Sequence, residues 1–158
     1  MRKICFDSNG WDFVLESHPI QALMEDLVGS GKLRIYRYYL QMDENDNMPT
    51  EKKCKLQDLI DLRERFQEVE LTQPGLVLGI GRLDKSLIAD SEFDRIYWRF
   101  FKDSKRDKNA SYDAAIAASA STHGLVLVTG DKKLMEKSEE YGLEHVGLPD
   151  FEEWLKEI

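Results

Sequence analysis

Short apolar runs alternate along the chain with longer stretches in which apolar residues recur every three or four positions, the pattern of strands separated by amphipathic helices. Lys3 to Asp7 carries the first run, Ile4-Cys5-Phe6, and ends on an acid. Asn9 to Glu16 and Gln21 to Val28 have helical spacing and are divided at His18-Pro19, with Gly29 to Gly31 closing the stretch. Leu33 to Leu40, rich in Ile and Tyr, has the composition of a second strand and runs into Gln41-Met42-Asp43-Glu44. From Pro49 onward Leu56, Leu59, Ile60, Leu62, Phe66 and Val69 mark the apolar stripe of a helix whose other face is charged and solvated.

Leu76 to Ile80 reads as a strand or a bulged loop among glycines, and Phe93 to Phe101 as a short helix carrying Tyr97, Trp98, Phe100 and Phe101. The last third is the most regular. It predicts a helix from Tyr112 to about His123, a strand Leu125 to Thr129, a helix from Lys132 to about Tyr141, a strand Glu144 to Val146 and a closing helix Asp150 to Lys156. Such alternation predicts an α/β fold of three layers, α/β/α, around a central parallel sheet. No repeat, low-complexity tract or linker interrupts it, so residues 1–158 read as a single domain.

At 158 residues the chain is long enough to bury a core without a disulfide staple. Cys5 and Cys54 are far apart and form neither a metal knuckle nor a redox pair, which fits a reducing, cytoplasmic setting. No apolar stretch approaches the roughly 20 residues needed to span a bilayer, and no signal-peptide pattern opens the chain. A net charge of -8 argues against general coating of nucleic acid, while leaving room for a local basic rim.

The acids change the picture more than the bulk charge does. Asp7 follows the first strand and Asp131 follows the strand ending at Thr129, so a parallel sheet brings both to one edge. Asp113 falls in the first turn of the helix predicted from Tyr112, where the helix dipole favours a carboxylate. Glu44 follows the second strand at a similar position, with Asp43 beside it as the alternative. Carboxylates brought so close repel one another, and a divalent ion relieves that repulsion. With only oxygen donors in the set, Mg²⁺ or Mn²⁺ fits better than zinc. Such an ion activates water and stabilises a leaving oxygen, the chemistry of phosphodiester hydrolysis.

These residues resemble the PIN domain family, in particular its small single-domain members that include VapC-type toxins of toxin–antitoxin pairs. The likeness rests on Asp7-Ser8-Asn9, on Glu44, on Asn109 to Ala120 with its Tyr112-Asp113-Ala114-Ala115 core, and on Val128-Thr129-Gly130-Asp131. It spans nearly the whole chain. It implies a metal-dependent ribonuclease in which Asp7, Glu44, Asp113 and Asp131 bind Mg²⁺ or Mn²⁺, with Asn9 and Thr129 as supporting hydrogen bonders. It also implies an RNA substrate, an antitoxin as protein partner and, as in many small PIN proteins, a homodimer. The long charged segment Asp43 to Glu70 and the stretch Gly75 to Asp84 depart from the compact toxins.

Plainer readings stand beside these. Asp7, Ser8, Asn9, Asp113 and Asp131 are all residue types that cap helices, though capping does not account for their shared order. The alanines of the late helix serve close packing, and the aromatic segment Tyr97 to Phe101 reads first as core and second as a dimer face. His18, His123 and His145 are isolated from one another and carry no catalytic assignment. Lys105, Arg106 and Lys108 before the third acid, and Lys132 with Lys133 after the fourth, form two basic clusters suited to RNA phosphates or to ordinary solvation. Two other functions are compatible with parts of the pattern. One is a non-catalytic PIN-like module that binds RNA or protein. The other is a haloacid-dehalogenase-type phosphatase, which expects a second Asp where Asn9 stands.

Overall fold

The computed structural model of the protein describes residues 1–7, 10–38, 53–71, 91–102 and 108–158. The described residues form strands β1 (Arg2–Phe6), β2 (Leu33–Tyr38), β3 (Val69–Leu71), β4 (Val126–Thr129) and β5 (His145–Gly147). Their helices are α1 (Gly10–Glu16), α2 (His18–Gly29), α3 (Lys53–Arg65), α4 (Ser91–Lys102), α5 (Lys108–Thr122), α6 (Lys132–Glu140) and α7 (Leu148–Lys156). All strand pairs are parallel, in the order β3-β2-β1-β4-β5. The expected α/β/α architecture with a central parallel sheet is the one observed.

Because β1 and β4 lie inside a sheet covered on both faces, their inner residues are buried whichever way they point, which is why they read as unbroken apolar runs. One face carries Ile4 and Phe6 of β1, Leu33 and Ile35 of β2, and Val126 and Val128 of β4. These pack on Trp11, Val14, Ile20, Met24, Leu59, Leu62, Phe66, Phe151 and Leu155. The opposite face carries Cys5, Tyr38 and Leu127 under α4, α5 and α6, through Phe93, Ile96, Tyr97, Phe100, Leu134 and the alanines of α5. The chain winds outward from β1 through β2 to β3, then returns to lay β4 on the other side of β1. That reversal opens a crevice beyond the carboxyl ends of β1 and β4.

Several expectations are corrected. The apolar stripe assigned to one helix through Val69 ends earlier: α3 stops at Arg65, Gln67 takes a φ of 50°, and Val69 begins β3 by pairing with Tyr36. Three residues are too few to show a strand period. Ile60 belongs to the solvent side of α3, with 38% of its surface exposed, whereas Leu59, Leu62 and Phe66 are buried. The late helix starts at Lys108 and not near Tyr112, so Asp113 lies in its second turn, beyond the strongest reach of the helix dipole. The break between α1 and α2 falls at Ser17, with Pro19 inside the first turn of α2, where its missing N–H costs nothing. Leu76 to Ile80 lies outside the described residues.

In α4, Phe93, Ile96, Tyr97 and Phe100 are core residues and Trp98 is 59% exposed. The aromatic segment is therefore mainly packing, with one ring outside. Among the described residues no helix is long and apolar enough to cross a membrane.

Candidate functional site

Side chains alternate across a strand, so Asp7 and Thr129 share the face of Cys5 and Leu127, the face covered by α4 and α5. The register sets them side by side: Phe6 pairs with Val128, and the Asp7 amide donates to the Val128 carbonyl at 3.0 Å. Both side chains are buried, Asp7 to 4% and Thr129 to 0% exposure. The Thr129 hydroxyl donates to Asp7 Oδ2. Asp7 Oδ1 accepts from the Gly10 amide at 2.9 Å, at the point where α1 begins. Both carboxylate oxygens are thus oriented by groups from different elements.

Glycine at position 10 is required by this approach, since a Cβ there would stand 2.6 Å from Phe6 Cδ1. Any larger residue would push α1 off β1 and take the amide away from Asp7.

Asp131, two residues beyond Thr129, joins the same arrangement through its main chain. Its amide donates to Thr129 Oγ1 at 3.0 Å, so the Thr129 hydroxyl accepts from Asp131 and donates to Asp7. The Asp131 side chain caps α6, accepting from the Lys133 and Leu134 amides at 2.7 and 3.1 Å, both on Oδ1. The capping reading of Asp131 is therefore realised, and it is compatible with a second role for the carboxylate. Lys132 and Lys133 are exposed in the first turn of α6, next to Asp131.

Asp113 is half-buried on α5, the helix that covers the face to which Asp7 points. Its neighbour Ser111 bonds the Tyr97 hydroxyl at 2.9 Å, tying the start of α5 to α4. Glu44, Asp43 and Asn9 lie outside the described residues, as do Lys105 and Arg106; Lys108 opens α5. Among the described residues no three Asp, Glu, His or Cys side chains group closely enough to hold a metal ion. The candidate donors among the described residues, Asp7, Asp113, Thr129 and Asp131, are oxygens, a set whose chemistry fits Mg²⁺ or Mn²⁺.

Two neighbouring groups are quiet. Burial, reinforced by Asp7 and then Glu68, pushes the Cys5 thiol well above its usual range, so it stays protonated and unreactive. Burial likewise pushes up the Tyr38 phenol, whose hydroxyl meets His123 Nδ1 at 3.0 Å while the same nitrogen lies 3.1 Å from the Ser119 carbonyl. His123 is a packing link between β2 and α5.

A polar cluster not expected from the sequence stands behind the crevice, on the opposite face of the sheet. Glu68 accepts from the Trp11 indole at 2.9 Å and from Arg63 Nε at 3.0 Å, with Arg37 3.7 Å away. Burial is the main cause that pushes the Glu68 carboxyl up and the Arg63 guanidinium down from their ordinary values. Trp11 lies close after Asp7-Ser8-Asn9, but its partner is 57 residues away, and no local period links them.

Comparison with known proteins yields a fold. VapBC2 from Rickettsia felis, crystallised bound to a DNA fragment from their promoter, is similar with a TM-score of 0.56 at 12% identity, over 92% of this chain and 98% of that one. PAE2754 from Pyrobaculum aerophilum is similar with a TM-score of 0.55 at 17% identity, over 99% of this chain and 98% of that one. The likeness is one of architecture. No family model matches the chain, and no curated protein does.

Proposed function

We propose that the chain is a Mg²⁺- or Mn²⁺-dependent ribonuclease of PIN type that serves as the toxin of a toxin–antitoxin pair, with an antitoxin as its protein partner. The observation that carries this reading is the linked set Asp7–Thr129–Asp131 at the crevice between β1 and β4. Capping explains Asp131 and the bond from the Gly10 amide to Asp7, but neither the burial of Asp7 nor its bond from Thr129. The fold shared with VapBC2 supports the toxin–antitoxin assignment, together with the motifs that resemble VapC-type toxins.

In this reading Asp7, Glu44, Asp113 and Asp131 would hold the ion, with the three described acids, Asp7, Asp113 and Asp131, drawn closer around it than they stand in the structure. When bound, the ion supplies an activated water and stabilises developing negative charge on phosphate oxygens. The residues of the chain do the rest. Thr129 and Gly10 fix the Asp7 carboxylate so that its geometry is set before the ion arrives, and Thr129 couples that geometry to the start of α6. Lys132 and Lys133, beside Asp131, provide charge for RNA phosphates, with Lys105, Arg106 and Lys108 as the second basic cluster.

The test is cleavage of a labelled structured RNA with Mg²⁺ or Mn²⁺ and with chelator, by the parent and by Asp7→Asn and Asp113→Asn. Metal-dependent cleavage by the parent and its loss in both variants is the expected result. No cleavage by the parent, or equal rates in all three proteins, would leave a PIN-like binding module in its place.

A further inference from the structure

The cluster behind the crevice is costly to build. Glu68 and Arg63 keep only 2% and 8% of their side chains exposed, beside a layer of Phe, Trp, Leu, Ile, Val and Met. Replacing a buried ion pair by apolar residues of the same volume is often neutral or stabilising, so stability alone does not account for one on this face. Glu68 also follows Gln67, whose φ of 50° is a conformation that non-glycine residues seldom adopt. What the cluster does determine is the orientation of one ring.

Trp11 is 3% exposed and is gripped on several sides. Phe6 meets it at 4.6 Å between ring centroids and Phe66 at 5.8 Å, and the Arg63 guanidinium carbon lies 5.9 Å from its ring centroid. The Glu68 carboxylate then sets its rotation through the indole N–H. Phe6 precedes Asp7 and Trp11 follows Gly10, so the Phe6–Trp11 contact joins the residues that flank Asp7 and Gly10. Between them the Gly10 amide lies 3.2 Å from the Asp7 carbonyl and 2.9 Å from Asp7 Oδ1.

We propose that Glu68 and Trp11 are positioning residues for Asp7: Glu68 holds the Trp11 indole, Trp11 holds the start of α1 against β1, and the Gly10 amide thereby holds the Asp7 carboxylate in its metal-binding orientation. The proposal rests on the reading of Asp7 as a metal ligand. It adds that the geometry of this ligand is controlled from the opposite face of the sheet, by a residue that touches neither metal nor RNA.

The experiment measures Mn²⁺ affinity by water-proton relaxation, well below the unfolding temperature of each protein, together with the kcat and KM of RNA cleavage. Trp11→Phe keeps an aromatic ring beside Phe6 and Phe66 and removes the indole N–H together with the volume of the second fused ring. It is expected to stay folded, to bind Mn²⁺ about tenfold more weakly, and to lose kcat with KM for RNA nearly unchanged. Glu68→Gln, whose carbonyl can still accept the indole N–H, should keep most of the Mn²⁺ affinity, and Glu68→Leu should lose it as Trp11→Phe does.

A merely structural cluster would lower Tm in these variants and leave the Mn²⁺ dissociation constant where it was. Parent-like Mn²⁺ affinity and kcat in Trp11→Phe, alongside loss of both in Asp7→Asn, would overturn the positioning role and leave the nuclease reading intact. Should Glu68→Leu not fold, Trp11→Phe decides alone. If the parent binds no Mn²⁺, or Asp7→Asn binds it equally well, Asp7 is no metal ligand and the positioning role falls with it.

Discussion

On one face of the sheet α5 meets the strands through small side chains beside the rings of α4, and on the other the helices meet them through rings and branched aliphatics. Ala114, Ala115, Ala117, Ala118 and Ala120 of α5 are all buried, which lets that helix come close to β1 and β4. Across the sheet Phe6, Trp11, Phe66 and Phe151 fill the space, with Glu68 and Arg63 embedded among them. Asp7 and Thr129 point toward the alanine face, while the Phe6–Trp11 contact beside Asp7 and Gly10 lies on the ring face. The two faces divide the labour. In the proposed site, chemistry is placed where a helix backbone can approach a strand end, and the proposed positioning role draws its stiffness from the bulky layer behind.

Changing side-chain volume on each face should separate the two most strongly. Phe6→Ala removes a fully buried ring that contacts both Trp11 and Phe151, and should cost about 3–5 kcal/mol in urea unfolding. Ala117→Leu adds bulk where α5 sits close, and should cost about 1–3 kcal/mol by overpacking. If the alanine face absorbed the leucine without loss, its closeness would not be what places α5.

A smaller effect separates capping from site chemistry at Asp131. Asp131→Ala loses the bonds from the Lys133 and Leu134 amides and should destabilise by about 1 kcal/mol. Asp131→Asn keeps a capping oxygen and should leave Tm close to the parent while lowering metal-dependent cleavage. Equal cleavage by Asp131→Asn and the parent would reduce Asp131 to a cap.

The smallest effect is a pH slope. Burial raises the Glu68 carboxyl above its ordinary value of 4.5, against the opposing pull of Arg63, Arg37 and the Trp11 bond. A carboxyl raised on folding contributes most below its unfolded value, and that contribution fades as pH rises through the folded one. The stability of Glu68→Gln relative to the parent should therefore increase as pH rises from below 4.5 through the raised value. A flat difference would mean that the two guanidinium groups cancel the burial cost.

Much of this arrangement is legible in the amino-acid sequence. The runs Ile4 to Phe6 and Val126 to Thr129 announce central strands because residues buried on both faces show no alternation, and the acids after them follow from parallel topology. Asp7, Thr129 and Asp131 group together for that reason alone. The turn of α5 that holds Asp113 is harder to place, since nothing in Lys108-Asn109-Ala110 marks a helix start more strongly than the alanines beyond it. β3 is hidden because three residues show no period, and with it goes Glu68, whose partners Trp11, Arg37 and Arg63 come from three other elements. Long-range polar contacts leave no mark on a local pattern.

Everything proposed for the crevice turns on the buried acid at the end of β1. The direct measurement is the Mn²⁺-dependent cleavage rate of a structured RNA by Asp7→Asn against the parent, with both proteins confirmed folded. A fall of at least about 100-fold is predicted, beyond what loss of a supporting hydrogen bonder alone would cause. Cleavage by Asp7→Asn at the parent rate would contradict the assignment of this crevice as the catalytic site.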